Sequence, residues 1–191
     1  MISPTTERFY TFEEYLSYDD GTDNRYELVD GRLEIVNPPT IQHFLLAKFI
    51  ERFLDAEINR LGLNWFCFKE TGVRTGKNKS RLTDVCVVTS AQAQELMNES
   101  AVFETPPLLV VEVVSPESIS RDYRRKRSEY AALEIPEYWI VDPLKNQICV
   151  LLLEEGLYEE AVFTGSQSIA SGTFPELSIT VEQVLAAGNI G

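Results

Sequence analysis

Histidine is almost missing from this 191-residue chain, which has one, His43. A multi-histidine metal centre is therefore excluded, and any metal would be held by oxygens. Cysteine is scarce as well. Cys67, Cys86 and Cys149 stand singly among apolar neighbours, with no C-x-x-C pair. That pattern excludes a thiolate cage and fits buried free thiols in a reducing cytoplasm. No apolar run approaches the roughly 20 residues that span a bilayer, and Met1-Ile2-Ser3-Pro4 does not open a secretory pattern. A cytoplasmic protein without membrane contact is expected. Basic residues are nearly absent from the last third: residues 128–191 hold one, Lys145, against ten acids.

The whole chain carries 17 basic and 30 acidic side chains, a net charge of −13 that argues at first against nucleic acid. The distribution weakens that objection. Nine of the 17 basic residues fall in two segments, one holding Arg74, Lys77, Lys79 and Arg81, the other Arg121, Arg124, Arg125, Lys126 and Arg127. Either solvated faces or a surface for an anionic partner would look like this. The length suits one domain, 1–191, with an apolar content of 44% that can build a core unaided.

The segments alternate in character. Thr11 caps a short helix, 12–16, and two β-prone runs, 25–29 and 32–36, meet at Asp30-Gly31, a strong hairpin signal. Ile41, Phe44, Leu45, Phe49, Phe53, Leu54 and Ile58 recur at helical spacing until Gly62. A β segment is expected from Trp65 through Val73, and a buried strand over Leu82–Val88 after the basic loop 76–80. Residues 91–97 suit a helix, Leu108–Val114 a strand, and Ser118–Leu133 a second long helix. Strands at 137–141, 148–153 and 157–163 and a helix from Thr180 complete one mixed α/β fold, a central sheet flanked by helices.

Two apolar strands each contain a lone acid, Asp84 in Leu82-Thr83-Asp84-Val85 and Glu112 in Val111-Glu112-Val113. A buried carboxylate costs several kcal/mol unless it is paired, hydrogen-bonded or bound to a metal. If the strands adjoin, the two acids converge and need a cation between them, for which Mg2+ or Mn2+ is suited. Asp84 as a strand-end turn residue is the competing reading. On the helix, Ile119, Tyr123, Lys126, Tyr130 and Leu133 share one side, so Lys126 interrupts the apolar face. It can neutralise a phosphate oxyanion beside the carboxylates, snorkel to water, or pair with Asp122 four residues earlier.

These residues belong to a series of blocks: Arg25-Tyr26-Glu27-Leu28-Val29-Asp30-Gly31, His43, Thr83-Asp84-Val85, Glu112-Val113-Val114-Ser115-Pro116, Asp122-x-x-x-Lys126-x-x-x-Tyr130 and Glu137-Tyr138-Trp139-Ile140-Val141-Asp142-Pro143. In that order they resemble the bacterial restriction-endonuclease-like family of the PD-(D/E)XK nuclease superfamily. The resemblance implies a restriction-endonuclease-like core and Mg2+-dependent cleavage of DNA phosphodiesters, with Mn2+ as a substitute. Asp84 takes the place of the motif's Asp, with Thr83 where proline is usual, and Glu112 that of the D/E. Position 114 is Val, so the motif's lysine is absent there, and the resemblance assigns that part to Lys126. It assigns metal binding to Asp84, Glu112 and the carbonyl of Val113, with Glu27 as a further carboxylate and His43 as a supporting residue. Arg74, Lys77, Lys79, Arg81, Arg121, Arg124 and Arg125 would grip DNA phosphates. A homodimer is expected by analogy, one site per strand. The departures at Thr83 and Val114 keep open an inactive module that binds nucleic acid or serves assembly. A hydrolase of small phosphate esters is a third reading.

Overall fold

A computed structural model describes residues 8–190. Thr11 closes a capping box on α1, Phe12–Leu16, and the hairpin of β1, Arg25–Val29, and β2, Arg32–Val36, follows. Asp30 and Gly31 both adopt positive φ, 50° and 81°, as a tight hairpin turn requires. Helix α2, Ile41–Leu61, starts at the Thr40 cap and ends at Gly62 in the left-handed conformation. These elements match their sequence signals.

The next stretch departs from expectation. The chain breaks at Glu70 (φ 56°) into β3, Trp65–Lys69, and β4, Gly72–Gly76. It breaks again at Thr83-Asp84 into β5, Lys79–Leu82, and β6, Val85–Thr89. Each expected strand thus becomes two, one in each of two sheets. Strands β1, β2, β4, β5 and the short β7, Val102–Phe103, form the smaller sheet, in the order β2-β1-β5-β4-β7. Asp84 therefore sits in the gap where the chain crosses from one sheet to the other, not within a strand.

The larger sheet runs β11-β10-β9-β8-β6-β3, with β8 Leu109–Val113, β9 Glu137–Asp142, β10 Gln147–Glu154 and β11 Leu157–Thr164. All its pairings are antiparallel except β8 with β9, so the sheet is mixed. Both faces are covered, which explains the almost unbroken apolar runs. Leu46, Ile50, Leu54 and Ile58 of α2 pack one face with Val85, Val87, Val111 and Val113, joined by Val181 and Val184 of the last helix, Val181–Ala186. On the other face Val110, Val114, Tyr138 and Ile140 meet Tyr130 and Ile135. Tyr130 belongs to the helical segment that starts as a π turn, Arg121–Lys126, and continues as α-helix Arg127–Ala132. The short helix Ser90–Glu95 follows β6.

Candidate active site

Glu112 alternates with Val111 and Val113 along β8, so it shares the Tyr130 side with Val110 and Val114. It is 2% exposed, and each of its oxygens has a partner. Oε1 accepts from the Tyr130 hydroxyl at 2.6 Å, and Oε2 lies 2.8 Å from Lys126 Nζ. Lys126, itself 2% exposed, also donates to the carbonyl of Leu82 at 2.9 Å and stands 3.7 Å from Glu27 Oε1. Its ammonium is thus held among three oxygens and does not snorkel. Burial alone would lower the Lys126 pKa, but the carboxylates around it, Glu112 foremost, outweigh burial and keep it charged. Burial acts first on Glu112 too, and the Asp84 and Asp122 carboxylates add to it. Against the opposing pull of Lys126, its pKa rises to about 8.

Asp84 approaches from the gap between β5 and β6. Its Oδ2 accepts from the amide of Val113 at 2.7 Å and lies 3.0 Å from His43 Nε2. Register explains the meeting: Val85 pairs with Val111, so Asp84 falls beside Glu112 at the end of the ladder. His43 reaches it from the first turn of α2, where Thr40 accepts from its backbone amide. Burial raises the Asp84 pKa, but the His43 bond and charge, the Lys126 ammonium and the Val113 amide together outweigh it, and the carboxyl is held below its ordinary range. The same pair raises His43 against the opposing effect of burial. Asp84, Glu112 and Lys126 therefore gather at one end of the larger sheet, and Asp84 keeps a side-chain exposure of 22% towards water.

The route by which Lys126 arrives depends on the π turn. Ser118, Asp122, Lys126 and Tyr130 are buried, each four residues after the last. In a straight α-helix of 3.6 residues per turn such a set drifts by about 40° each step. A π turn absorbs the surplus and returns the four to one face. Ile119, expected on that face, is exposed instead (39%). The Asp122–Lys126 pair offered by the spacing does not form. Asp122 Oδ1 has no hydrogen-bond partner, its nearest cation being Arg121 Nε at 3.6 Å, and burial raises its pKa.

Two expected roles change with position. Arg81, expected to grip phosphates from a loop, is 1% exposed. It clamps Glu129 through two bonds, 2.6 and 2.8 Å, and reaches Glu27 at 3.0 Å. Glu27 is correspondingly occupied, its Oε2 by Arg81 and its Oε1 by the amide of Leu82 at 3.1 Å. It braces Lys126 and Arg81 instead of facing an open position. The other basic candidates are spread along the surface. Lys77, Arg124 and Arg125 are exposed, whereas Lys79 pairs with Asp30 and Arg74 pairs with Glu104. Arg121 is half-buried against Asp122. Tyr130 as a partner of Glu112 and Glu129 as a partner of Arg81 were not picked out as site residues in the sequence. The spacing of four was the available signal for the first; none announced the second.

Among the described residues no group of three or more His, Cys, Asp or Glu side chains is arranged to hold a metal ion. Two carboxylates do fit a divalent ion of the Mg2+ type, which commonly takes one or two protein carboxylates and completes its shell with water and phosphate oxygens. The open oxygen of Asp84 favours one: its Oδ2 is held by the Val113 amide and His43, and its Oδ1 carries no hydrogen bond among the described residues.

Comparison with known proteins places the fold and the family. The chain superposes on a solved structure from Anabaena variabilis, titled as a putative nuclease belonging to DUF820, with a TM-score of 0.78 and 16% identity, covering 94% of this chain and 99% of that one. A second match, the type IIG restriction endonuclease BpuSI, has a TM-score of 0.41 and 12% identity over 80% of this chain and 17% of that chain. No curated protein matches significantly. The family described as "Uma2: Putative restriction endonuclease" matches residues 12–182, and the chain belongs to that family.

Proposed function

We propose that this chain is a metal-dependent endonuclease that hydrolyses DNA phosphodiester bonds at the Asp84–Glu112–Lys126 cluster. One observation carries the reading: a buried lysine from the helix meets the buried acid of β8 at 2.8 Å, beside a second acid. Asp84, Glu112 and the carbonyl of Val113 would hold Mg2+ or Mn2+, which supplies Lewis acidity to the scissile phosphate and activates water. Lys126 stays protonated and sets a fixed positive charge where the phosphate gains negative charge in the transition state. Tyr130 and Glu27 hold Glu112 and Lys126 in place, so little reorganisation is needed when the substrate arrives. His43 and the Val113 amide fix Asp84 by one oxygen and leave Oδ1 for a ligand. Arg124, Arg125 and Lys77 supply sequence-independent phosphate contacts, and a homodimer would present one such site to each strand of a duplex.

Nicking of supercoiled plasmid in Mg2+ or Mn2+ tests the reading. Wild-type protein converts plasmid to open circles, Asp84→Asn loses that activity by about a hundredfold or more, and chelator abolishes it. DNA binding without cleavage in either metal would replace the proposal with a silent binding module.

A further inference from the structure

A cleft of about 690 Å3 lies apart from the carboxylates, between the β1–β2 hairpin and the helical segment that carries Lys126. We propose that it seats a single unpaired strand of nucleic acid next to the active site. The inference rests on the nucleic-acid reading above and adds to it the form of the substrate.

The charge on the cleft's walls favours phosphate. Its lining includes Arg124 and Arg125, both exposed and without an ion pair or hydrogen bond from their side chains among the described residues. Two of the acids nearby are already engaged, Asp30 by Lys79 at 2.9 Å and Glu129 by Arg81 and Thr75. Glu34 is the acid left over. On the opposite wall Phe9 is 59% exposed, with the Arg32 guanidinium 5.5 Å from its ring centroid. An exposed ring in the same cleft as the open guanidiniums of Arg124 and Arg125 is the combination by which proteins hold single strands, bases stacking while the backbone meets positive charge.

Size argues for one strand. The volume matches the roughly 300–1,000 Å3 of clefts that take small ligands, room for a short stretch of one strand and not for the width of a duplex. Arg81 connects the cleft to the chemistry. It lines the cleft and bonds Glu27, whose other oxygen faces Lys126 at 3.7 Å. The buried Arg81–Glu27 pair is thus the wall shared by the cleft and the lysine of the site.

Fluorescence anisotropy on the full chain in chelator, where no cleavage occurs, tests this with a blunt duplex and the same duplex carrying an unpaired tail. The tail strengthens wild-type binding by about tenfold, the scale of one stacked base. Phe9→Ala removes most of that gain. Arg124→Ala with Arg125→Ala lowers the salt dependence of tail binding by about 1.4 in log–log slope, two single-strand contacts. Lys48→Ala on α2, which packs the other face of the sheet, leaves both quantities unchanged. Equal affinity for tailed and blunt DNA, a gain that survives both sets of substitutions, or no binding by wild-type protein overturns the proposal. Loss of plasmid nicking with tail binding intact would instead overturn the endonuclease reading alone.

Discussion

Arg81, itself buried, holds two carboxylates, the buried Glu27 on one side and the largely covered Glu129 on the other. Removing one partner from such a network leaves buried charge uncompensated, at a cost of about 3–5 kcal/mol. Arg81→Ala should therefore lower the urea midpoint strongly, whereas Lys77→Ala, on the exposed loop, should leave it in place. Glu112 yields a pH prediction. With its carboxyl raised to about 8, the group must lose a proton before it can hold a cation, and below that pH the loss opposes binding. Mn2+ affinity measured by calorimetry should climb by about tenfold per pH unit up to about pH 8 and then level. An affinity that stays flat over that interval would contradict the assignment of Glu112 as a ligand. The same shift sets a stability trend. A carboxyl raised on folding contributes stability below its unfolded value of about 4.5 and loses it as pH rises towards 8.

At the scale of the element, the π turn is what lets one helix satisfy two sets of contacts. Tyr123 donates to Asp142 at 2.8 Å, while Lys126 and Tyr130 hold Glu112. Deleting the exposed Arg124 would convert the turn towards regular α-helix and rotate one half against the other by about 100°. The folded sheet should survive, as judged by circular dichroism, while nicking falls by about a hundredfold because the rotated helix can no longer aim Lys126 at Glu112 while Tyr123 stays on Asp142. The break at Thr83-Asp84 has a comparable effect on the other strand. By leaving β5 for β6 there, the chain frees Asp84 from the ladder and lets it reach His43 and the Val113 amide.

Across the whole molecule, the central mixed sheet and its helices were legible, because turn residues and apolar periodicity are local properties. Asp30-Gly31, the Thr40 cap and Gly62 each marked a boundary that the fold keeps. The second sheet was not legible. Leu82–Val88 is equally apolar whether it runs on or divides, and pairing partners decide that question. Asp84, Glu112 and Lys126 stood out as charges interrupting apolar patterns, and the fold brings them together. Arg81 could not be distinguished from its loop neighbours, because its burial depends on Glu129, 48 residues away. The charge layout adds a constraint of its own. With −9 in residues 128–191 and +2 in residues 61–127, the proposed anionic substrate would meet least repulsion along the segment that carries Arg124 and Arg125.

The central claim is that the catalytic lysine comes from the helix and not from position 114. The single-turnover rate of plasmid nicking in Mg2+, wild type against Lys126→Ala, tests it most directly, with circular dichroism confirming the fold of both. Lys126→Ala should lose about a hundred- to a thousandfold, the effect of removing one preorganised charge from a transition state. A Lys126→Ala protein that is folded and nicks at the wild-type rate would contradict it.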